Sequence, residues 1–208
     1  MKKREKVALV ACSNGQPEKQ REKIEQLTNT LMGINLIPIL SNHIYVRESV
    51  FNGTGKERAE SLMNFYKDSE VQRIFDISGG DLANEVLPYL DYEVIKNSDK
   101  VFWGYSDLTT VINAIYAKTG KESVLYQVRN LINDSSGMQL KRFDTEELFD
   151  INYEFLQGQE MQGVLVGGNI RCLLKLAGTE YWPDMNDKVL LLEALSGTVA
   201  KMTTCLVN

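Results

Sequence analysis

The stretch KVFWGYSDLTT, residues 100–110, joins a strand-like run to a helix-like segment. The hydrophobic run VFW precedes Gly104, and Ser106 stands two residues later, where a helix would begin. A β-strand followed at once by a helix is the unit from which parallel α/β sheets are built. The stretch therefore raises two questions. One is whether the rest of the chain repeats this unit, and the other is whether Ser106 caps the helix or acts as a nucleophile.

The same strand-then-helix pattern occurs three times before this stretch. Each strand candidate is rich in β-branched and apolar residues and ends in small polar ones. They are KVALVACSNG (6–15), NLIPILSN (35–42) and VQRIFDISGG (71–80). Polar segments with apolar residues at helical spacing follow them, such as Ile24, Leu27 and Leu31. The alternation predicts an α/β fold with a doubly wound, mostly parallel sheet and helices on both faces.

Beyond residue 130 the pattern changes, and we predict three regions. Residues 1–130 form an N-terminal α/β domain that contains Ser106. Residues 131–160 are polar and without a clear period, which indicates a linker or surface excursion. Residues 161–208 contain two further strand candidates, GVLVGG and KVLLLEA, with the short helix NIRCLLKLAG between them. Because 48 residues are few for an independent core, we interpret this region as the incomplete start of a second α/β domain.

Composition excludes several classes of protein. Of the 208 residues, 43% are hydrophobic and 25% charged, as in ordinary globular proteins, and the net charge is -5. Nucleic acid and acidic membranes both bind basic patches, so the net negative charge argues against either as a main partner. The basic N-terminus precedes an apolar run too short for a secretory signal. The three cysteines, Cys12, Cys172 and Cys205, lack metal-ligand or CxxC spacing, which indicates free thiols, no metal site and a cytoplasmic protein.

Three loops rich in small residues follow strands at the expected ligand-binding edge of the sheet. They are ACSNG (11–15), SGGD (78–81) and GYSD (104–107). Ser106 in the third loop has two interpretations, an N-cap or a nucleophile on a tight turn next to helical N–H groups. The nucleophile-elbow motif G-x-S-x-G is incomplete, because Leu108 replaces its second glycine. On the local sequence alone, the N-cap is favoured.

Other residues are candidates by their position. Gly79 and Gly80 permit a close backbone approach, so that one of their N–H groups could point into the site. Glu193 ends an apolar strand, where a carboxylate either reaches solvent or orients a partner such as histidine. Asn169 follows a strand and a Gly-Gly pair and is placed to cap a helix.

Together these segments resemble one family, the LD-carboxypeptidases, serine peptidases that include muramoyl-tetrapeptide carboxypeptidases and microcin C immunity proteins. The resemblance runs almost end to end. It begins with VALVACSNG and continues through ERAESLMNFYKDSEVQRIFDISGGD, LPYLDYEVIKNSDKVFWGYSDLT, VGGNIRCLLKLAGTEYWPD and KVLLLEA, in the order that the family has them. SGGD in place of Arg-Gly-Gly-Tyr-Gly looks closer to the microcin-immunity branch.

The resemblance implies roles for the candidate residues. Ser106 would be the nucleophile and Glu193 the acid of a catalytic triad that hydrolyses an amide bond without metal or cofactor. The substrate would be a small peptide or muropeptide, for example a murein tetrapeptide cleaved at its L,D-bond. The other implied site residues are the oxyanion-hole donors Gly80 and Asp107 and the substrate-binding residues Gly79 and Asn169.

The chain departs from the family at the triad histidine, which belongs late in the C-terminal domain. The one histidine present, His43, follows the second strand candidate and has no place in the family pattern. We therefore expect a C-terminally truncated form that is weak or inactive as a peptidase and that dimerises through exposed apolar strands. Two alternatives stay open: a microcin-type hydrolase of aminoacyl or peptidyl nucleotides, and a catalytically inactive ligand-binding module.

Overall fold

The fold alternates strands and helices along the chain in a computed structural model that describes residues 4–195 and 197–207. Within these residues the strands are β1 (Glu5–Val10), β2 (Leu36–Leu40), β3 (Val71–Asp76), β4 (Val101–Gly104), β5 (Val124–Leu125), β6 (Val164–Asn169) and β7 (Lys188–Glu193). The α-helices are α1 (Arg21–Gly33), α2 (Gly55–Lys67), α3 (Tyr92–Lys96), α4 (Thr109–Thr119), α5 (Asn130–Asn133), α6 (Met138–Asp144), α7 (Ile170–Leu173) and α8 (Val199–Val207). Four 3-10 helices span Glu18–Gln20, Ala83–Tyr89, Ser106–Leu108 and Leu174–Leu176.

The main sheet has five parallel strands in the order β2-β1-β3-β4-β5. Along β1, burial alternates between the faces of the sheet. Val7 and Leu9 belong to a core packed on α1, whereas Ala8 and Val10 belong to a second core packed on α2 and α4. Helices therefore cover both faces, and the predicted doubly wound, mostly parallel α/β fold is confirmed.

The strand order places the ends of β1 and β3 at the centre of the carboxyl edge. The chain leaves β1 towards β2 on one side and later returns to β3 on the other. Such a reversal opens a crevice between the two loops that follow these strands, and ligands bind in this crevice in open α/β sheets. The loops in question are residues 11–16 and 77–83, and Ser106 follows β4 directly beside them.

The segment after residue 130 is more ordered than its sequence indicates. The structure contains α5 and α6 there, whereas residues 145–163 form neither helix nor strand. Phe143 of α6 is buried, and its ring packs against Phe75 of β3 and Trp103 of β4. The physical reason is that aromatic contacts with residues distant in sequence hold a short amphipathic turn, which is too brief to give a helical period.

A second, two-stranded parallel sheet of β6 and β7 is attached to α4. The side-chain amide of Asn113 on α4 donates to the carbonyl oxygen of Gly167 at 2.8 Å and accepts from its N–H at 2.9 Å. The boundaries predicted for the three regions stay predictions. No helix in the described ranges combines the length and the apolar character needed to cross a bilayer.

Two neighbouring residues of α1 test the assignment of its buried face. Leu31 is fully buried, whereas Met32 is 50% exposed. We expect Leu31→Ala to lower the free energy of unfolding by about 2–5 kcal/mol, because it leaves a cavity in the core. Met32→Ala should change it by less than about 1 kcal/mol. Urea unfolding followed by circular dichroism measures both, and equal losses would contradict the assignment.

Candidate active site

Ser106 lies on a strained turn between β4 and α4. Its backbone φ is 58°, a left-handed conformation that side-chain-bearing residues rarely adopt and that costs about 1–3 kcal/mol. Gly104 makes the turn possible, since a Cβ at that position would lie 2.6 Å from the Cβ of Leu108. Strain of this kind persists where the surrounding structure holds it in place, and it concentrates at functional sites.

The hydroxyl of Ser106 does not cap the helix. The N-cap of the 3-10 helix Ser106–Leu108 is Tyr105, and its side chain makes no capping bond. Among the described residues, the Ser106 side chain has no hydrogen-bond partner, and its oxygen is not shut off from solvent. The N-cap favoured by the local sequence is therefore wrong. The hydroxyl stands free at the carboxyl edge of the sheet.

The side chain of Asp107 ties the Ser106 turn to both neighbouring loops. This buried carboxylate accepts hydrogen bonds from the Ser13 hydroxyl at 2.6 Å and from the Ala83 N–H at 2.8 Å. Lys175, which lies between β6 and β7, donates to its other oxygen at 2.5 Å. The backbone N–H of Asp107 is among the first of the helix, which have no acceptor within it, so it is available to a ligand.

The SGGD loop is held against the ACSNG loop through Asn14. The Asn14 N–H donates to the Gly79 carbonyl at 3.3 Å, and its side-chain oxygen accepts from the Asp81 N–H at 3.0 Å. Gly80 has a φ of 127°, and a Cβ there would lie 2.2 Å from Asn14 Cγ. At Gly79 a Cβ would meet open space. The contact with Asn14 thus requires glycine at position 80.

Buried groups beneath these loops keep them in place. The Asp76 carboxylate accepts from the Cys12 N–H and from the N–H and hydroxyl of Ser78. Burial raises the pKa of Asp76 above its usual value, and the hydrogen bonds from Ser78 and Cys12 oppose the rise. The ends of β1 and β3 are therefore joined below the surface by polar contacts.

Glu193 and Asn169 are paired on the second sheet, at the ends of β7 and β6. Asn169 caps α7 as predicted, accepting from the Cys172 N–H at 3.3 Å, and its own N–H donates to the Thr109 hydroxyl at 2.9 Å. Burial raises the pKa of Tyr105, and the charge of Glu193 raises it further. Glu193 therefore lies near the residue that precedes Ser106.

One carboxylate oxygen of Glu193, Oε1, is buried and has no hydrogen-bond partner within the described part of the chain. A buried acceptor without a donor is costly. A side-chain hydrogen bond with Glu193 also raises the pKa of Tyr105, so the phenol of Tyr105 lies within reach of this carboxylate.

His43 is not brought to this site. It follows β2, the edge strand, which is separated from β4 by β1 and β3. Its Nδ1 atom lies 2.9 Å from the Asn52 carbonyl oxygen, and its N–H donates to the Ser41 hydroxyl. These partners belong to the loops beside β2, so His43 has no role in orienting Ser106 in this arrangement.

Sequence reasoning missed two cations at the site, Lys175 and Arg129. Lys175 sits among leucines in NIRCLLKLAG, and nothing in that run distinguishes it from Arg171, whose side chain is exposed. Arg129 follows β5 in a loop without a motif, and nothing in the local sequence distinguishes it from a solvated arginine. In the described ranges, no cluster of three or more His, Cys, Asp or Glu side chains is arranged to hold a metal.

Comparison with known families agrees with this architecture. The LD-carboxypeptidase N-terminal domain matches residues 7–126, and the LD-carboxypeptidase C-terminal domain matches residues 162–208. The chain therefore belongs to the LD-carboxypeptidase family. The resemblance found in the sequence motifs is confirmed at this level.

Individual relatives are distant but cover much of the chain. A probable murein peptide carboxypeptidase of Bacillus subtilis is 30% identical over 68% of this chain and 48% of its own length. The microcin C7 self-immunity protein MccF of Escherichia coli is 26% identical over 72% of this chain and 54% of its own. The crystal structure of an MccF-like protein from Bacillus anthracis shares the fold, with a TM-score of 0.78, 24% identity and coverage of 100% of this chain and 73% of that one.

The chain is shorter than these relatives. It spans between 48% and 69% of the length of six curated proteins that it matches.

The two adjacent glycines of the SGGD loop test its geometry. We expect Gly80→Ala to lower the free energy of unfolding by about 1–3 kcal/mol, because both its φ and its contact with Asn14 exclude a side chain. Gly79→Ala is the matched control and should have a much smaller effect. Thermal unfolding of both variants provides the measurement, and a Gly80→Ala protein as stable as the control would show that the loop is not held as described.

Proposed function

We propose that the protein is a serine hydrolase of the LD-carboxypeptidase type, which cleaves a peptide bond such as the L,D-bond of a murein tetrapeptide. The observation that carries the proposal is the strained Ser106 with its free hydroxyl at the carboxyl edge of the sheet. Family membership and the B. subtilis relative support this reaction and substrate class.

In the proposed mechanism the Ser106 hydroxyl attacks the scissile carbonyl, and departure of the protonated amine leaves an acyl-enzyme. Water then hydrolyses this ester and releases the acid and the free serine. The N–H groups of Gly80 and Asp107 donate to the oxyanion that forms during each step. Their role is supported by the arrangement of the loops, since Asp107 holds Ala83, and Asn14 holds Gly79 and Asp81 on either side of Gly80. We propose that Gly79 and Asn169, near the carboxyl edge of the main sheet, contact the substrate.

A serine nucleophile also needs a general base that accepts its proton. A serine at its ordinary pKa is a weak nucleophile, and a general base contributes about 10²–10⁴-fold to the rate. Glu193 has an unpartnered buried oxygen that suits the N–H of an orienting imidazole. His43 is engaged elsewhere. We therefore propose that these 208 residues on their own hydrolyse slowly and that an added imidazole replaces the base.

Chemical rescue tests this division of roles. We expect slow release of D-alanine from an L,D-tetrapeptide, with a rate that rises about tenfold or more when imidazole is added. Ser106→Ala should abolish both the basal and the rescued release, and Glu193→Gln should abolish the rescue. His43→Gln and the exposed Ser135→Ala are controls that should change neither. A chromatographic assay for D-alanine measures all five proteins.

Two outcomes contradict the proposal. Release that persists in Ser106→Ala would remove the serine mechanism. If the chain binds the tetrapeptide equally well with and without Ser106 but never releases D-alanine, even with imidazole, it is a binding module instead. Unaided turnover as fast as that of the B. subtilis relative would contradict the missing base.

A second candidate is a hydrolase of aminoacyl or peptidyl nucleotides, as in microcin immunity. The SGGD form of the loop and the similarity to MccF favour it. The same rescue assay discriminates between the two, with an aminoacyl sulfamoyl adenylate as substrate in place of the tetrapeptide. Cleavage of the nucleotide together with an intact tetrapeptide would identify the second candidate.

We also propose that the protein forms a homodimer through the second sheet. Apolar side chains on one face of both strands are exposed, with Leu165 at 59% and Leu191 at 37%. Exposed apolar surface of this kind favours association. The double variant Leu165→Gln/Leu191→Gln should be monomeric by light scattering, whereas Leu40→Gln, on the edge strand of the main sheet, should leave the dimer intact. A monomeric parent protein would contradict the proposal.

A further inference from the structure

Arg129 lies at the same edge of the sheet as Ser106. It follows β5, whose last residue, Leu125, is in register with Gly104 of β4. The next residue, Tyr126, donates its N–H to the Gly104 carbonyl at 2.8 Å. The loop that carries Arg129 therefore starts beside the Ser106 turn.

Two glutamines connect Arg129 and its loop to the loop that contains Gly80. Gln127 donates from its side chain to the Ser78 carbonyl at 3.3 Å. Arg129 donates from Nη1 to the Gln16 side-chain oxygen at 3.1 Å, and Gln16 donates to the Ile77 carbonyl at 3.1 Å. The guanidinium is thus held at the ends of β1 and β3, next to the strand-order reversal where a ligand is expected.

The remaining donors of this guanidinium are free. Nε is buried and has no hydrogen-bond partner, and Nη2 has none either in the part of the chain that the structure describes. Unlike Nε, Nη2 is not shut off from solvent. Arg129 is half-buried yet makes no ion pair with any described carboxylate. Burying a cation without a negative partner is costly, so this arrangement calls for an anion.

Among the residues that the structure describes, Asp76 is the acidic group whose charge acts on Arg129, but it does not supply that anion. Burial lowers the pKa of Arg129, and the charge of Asp76 acts in the opposite direction. The Asp76 oxygens, however, accept from Cys12 and Ser78 rather than from the guanidinium. Even with its pKa lowered, an arginine stays charged at neutral pH.

The free atoms of Arg129 are those that two other arginines in this molecule use to bind a carboxylate. Arg21 holds both oxygens of Glu18 with Nε and Nη2, at 2.6 and 3.0 Å. Arg73 holds Glu5 with the same two atoms, at 2.7 and 2.8 Å. In Arg129 this bidentate edge is the one left unoccupied, because Gln16 binds at Nη1.

We propose that Arg129 is a specificity-determining residue that binds a carboxylate of the substrate through Nη2. This donor is accessible to solvent, whereas Nε is shut off from it. The inference rests on the proposed function, since a substrate cleaved next to its C-terminal residue presents a carboxylate close to the scissile bond. Bound at Arg129, this group would align the peptide along the edge between Gly80 and Ser106.

Binding, rather than turnover, provides the test. Isothermal titration of the full chain in a Ser106→Ala background would compare N-acetyl-L-alanyl-D-alanine with its C-terminal amide, which differs only by the charge. We expect the acid to bind about tenfold or more tightly than the amide, as a charged hydrogen bond warrants. Arg129→Gln should reduce the affinity for the acid to that for the amide, and Arg129→Lys should reduce it less, because a lysine keeps the charge but not the planar guanidinium.

Arg4→Gln is the matched control. Arg4 precedes β1 at the amino edge of the sheet, opposite the site, so its loss removes the same charge and should leave both affinities unchanged. Two further ligands show whether Arg129 recognises a main-chain carboxylate, a side-chain carboxylate or a different anion. N-acetyl-L-glutamate α-amide carries only a side-chain carboxylate. Inorganic phosphate carries none.

Arg129-dependent binding of either carboxylate ligand supports the proposal and states which carboxylate is recognised. Binding of both carboxylate ligands that does not depend on Arg129, equal weakening of acid and amide by Arg129→Gln, or no binding of any carboxylate would overturn it. If phosphate is the one ligand whose binding depends on Arg129, the site does not recognise a carboxylate and the proposal is overturned. If Arg129-dependent binding is found but no hydrolysis occurs with Ser106 present, the proposed function fails and the carboxylate site remains.

Discussion

The buried carboxylate of Asp107 is the contact on which the arrangement of the site depends. Its donors come from three separate parts of the chain: Ser13 after β1, Ala83 after β3, and Lys175 beyond β6. A buried charge is tolerated only when it is paired and hydrogen-bonded, so these donors have to converge on it. Because Asp107 directly follows Ser106, the convergence also sets where the free hydroxyl stands relative to the glycine loop.

A buried cation supports the same loops from below. The guanidinium of Arg58 on α2, whose residue is 2% exposed, donates to the carbonyls of Cys12, Ser13 and Leu82 and pairs with Glu85. Carbonyl oxygens at strand ends would otherwise lack donors. Positive charge beneath the loops and negative charge at Asp107 thus hold them rigidly. A rigid set of N–H donors is what stabilisation of an oxyanion requires, because it needs no reorganisation during the reaction.

Local patterns predicted the framework better than the site. The alternation of strands and helices could be predicted because the sheet is buried on both faces. Its strands are therefore runs of apolar residues, as in β1, and its helices carry apolar residues at helical spacing, as in Ile24–Leu31. Lys175 and Arg129 were not found, since a single basic residue in a helix or loop resembles a solvated one. The helices α5 and α6 were also missed, because Phe143 is held by Phe75 and Trp103, which are distant in sequence.

The sequence was sufficient to predict the parallel sheet, the small-residue loops at its carboxyl edge and a serine just after β4. Each of these follows from periodicity and from the order of segments along the chain. It could not establish what that serine does. A cap and a nucleophile share the same local residues, and the difference lies in a backbone φ of 58° and in a hydroxyl left without a partner. That state is maintained by contacts such as Ser13–Asp107, between residues 94 positions apart, and Lys175–Asp107, 68 apart. Contacts of this range form only when the chain has folded.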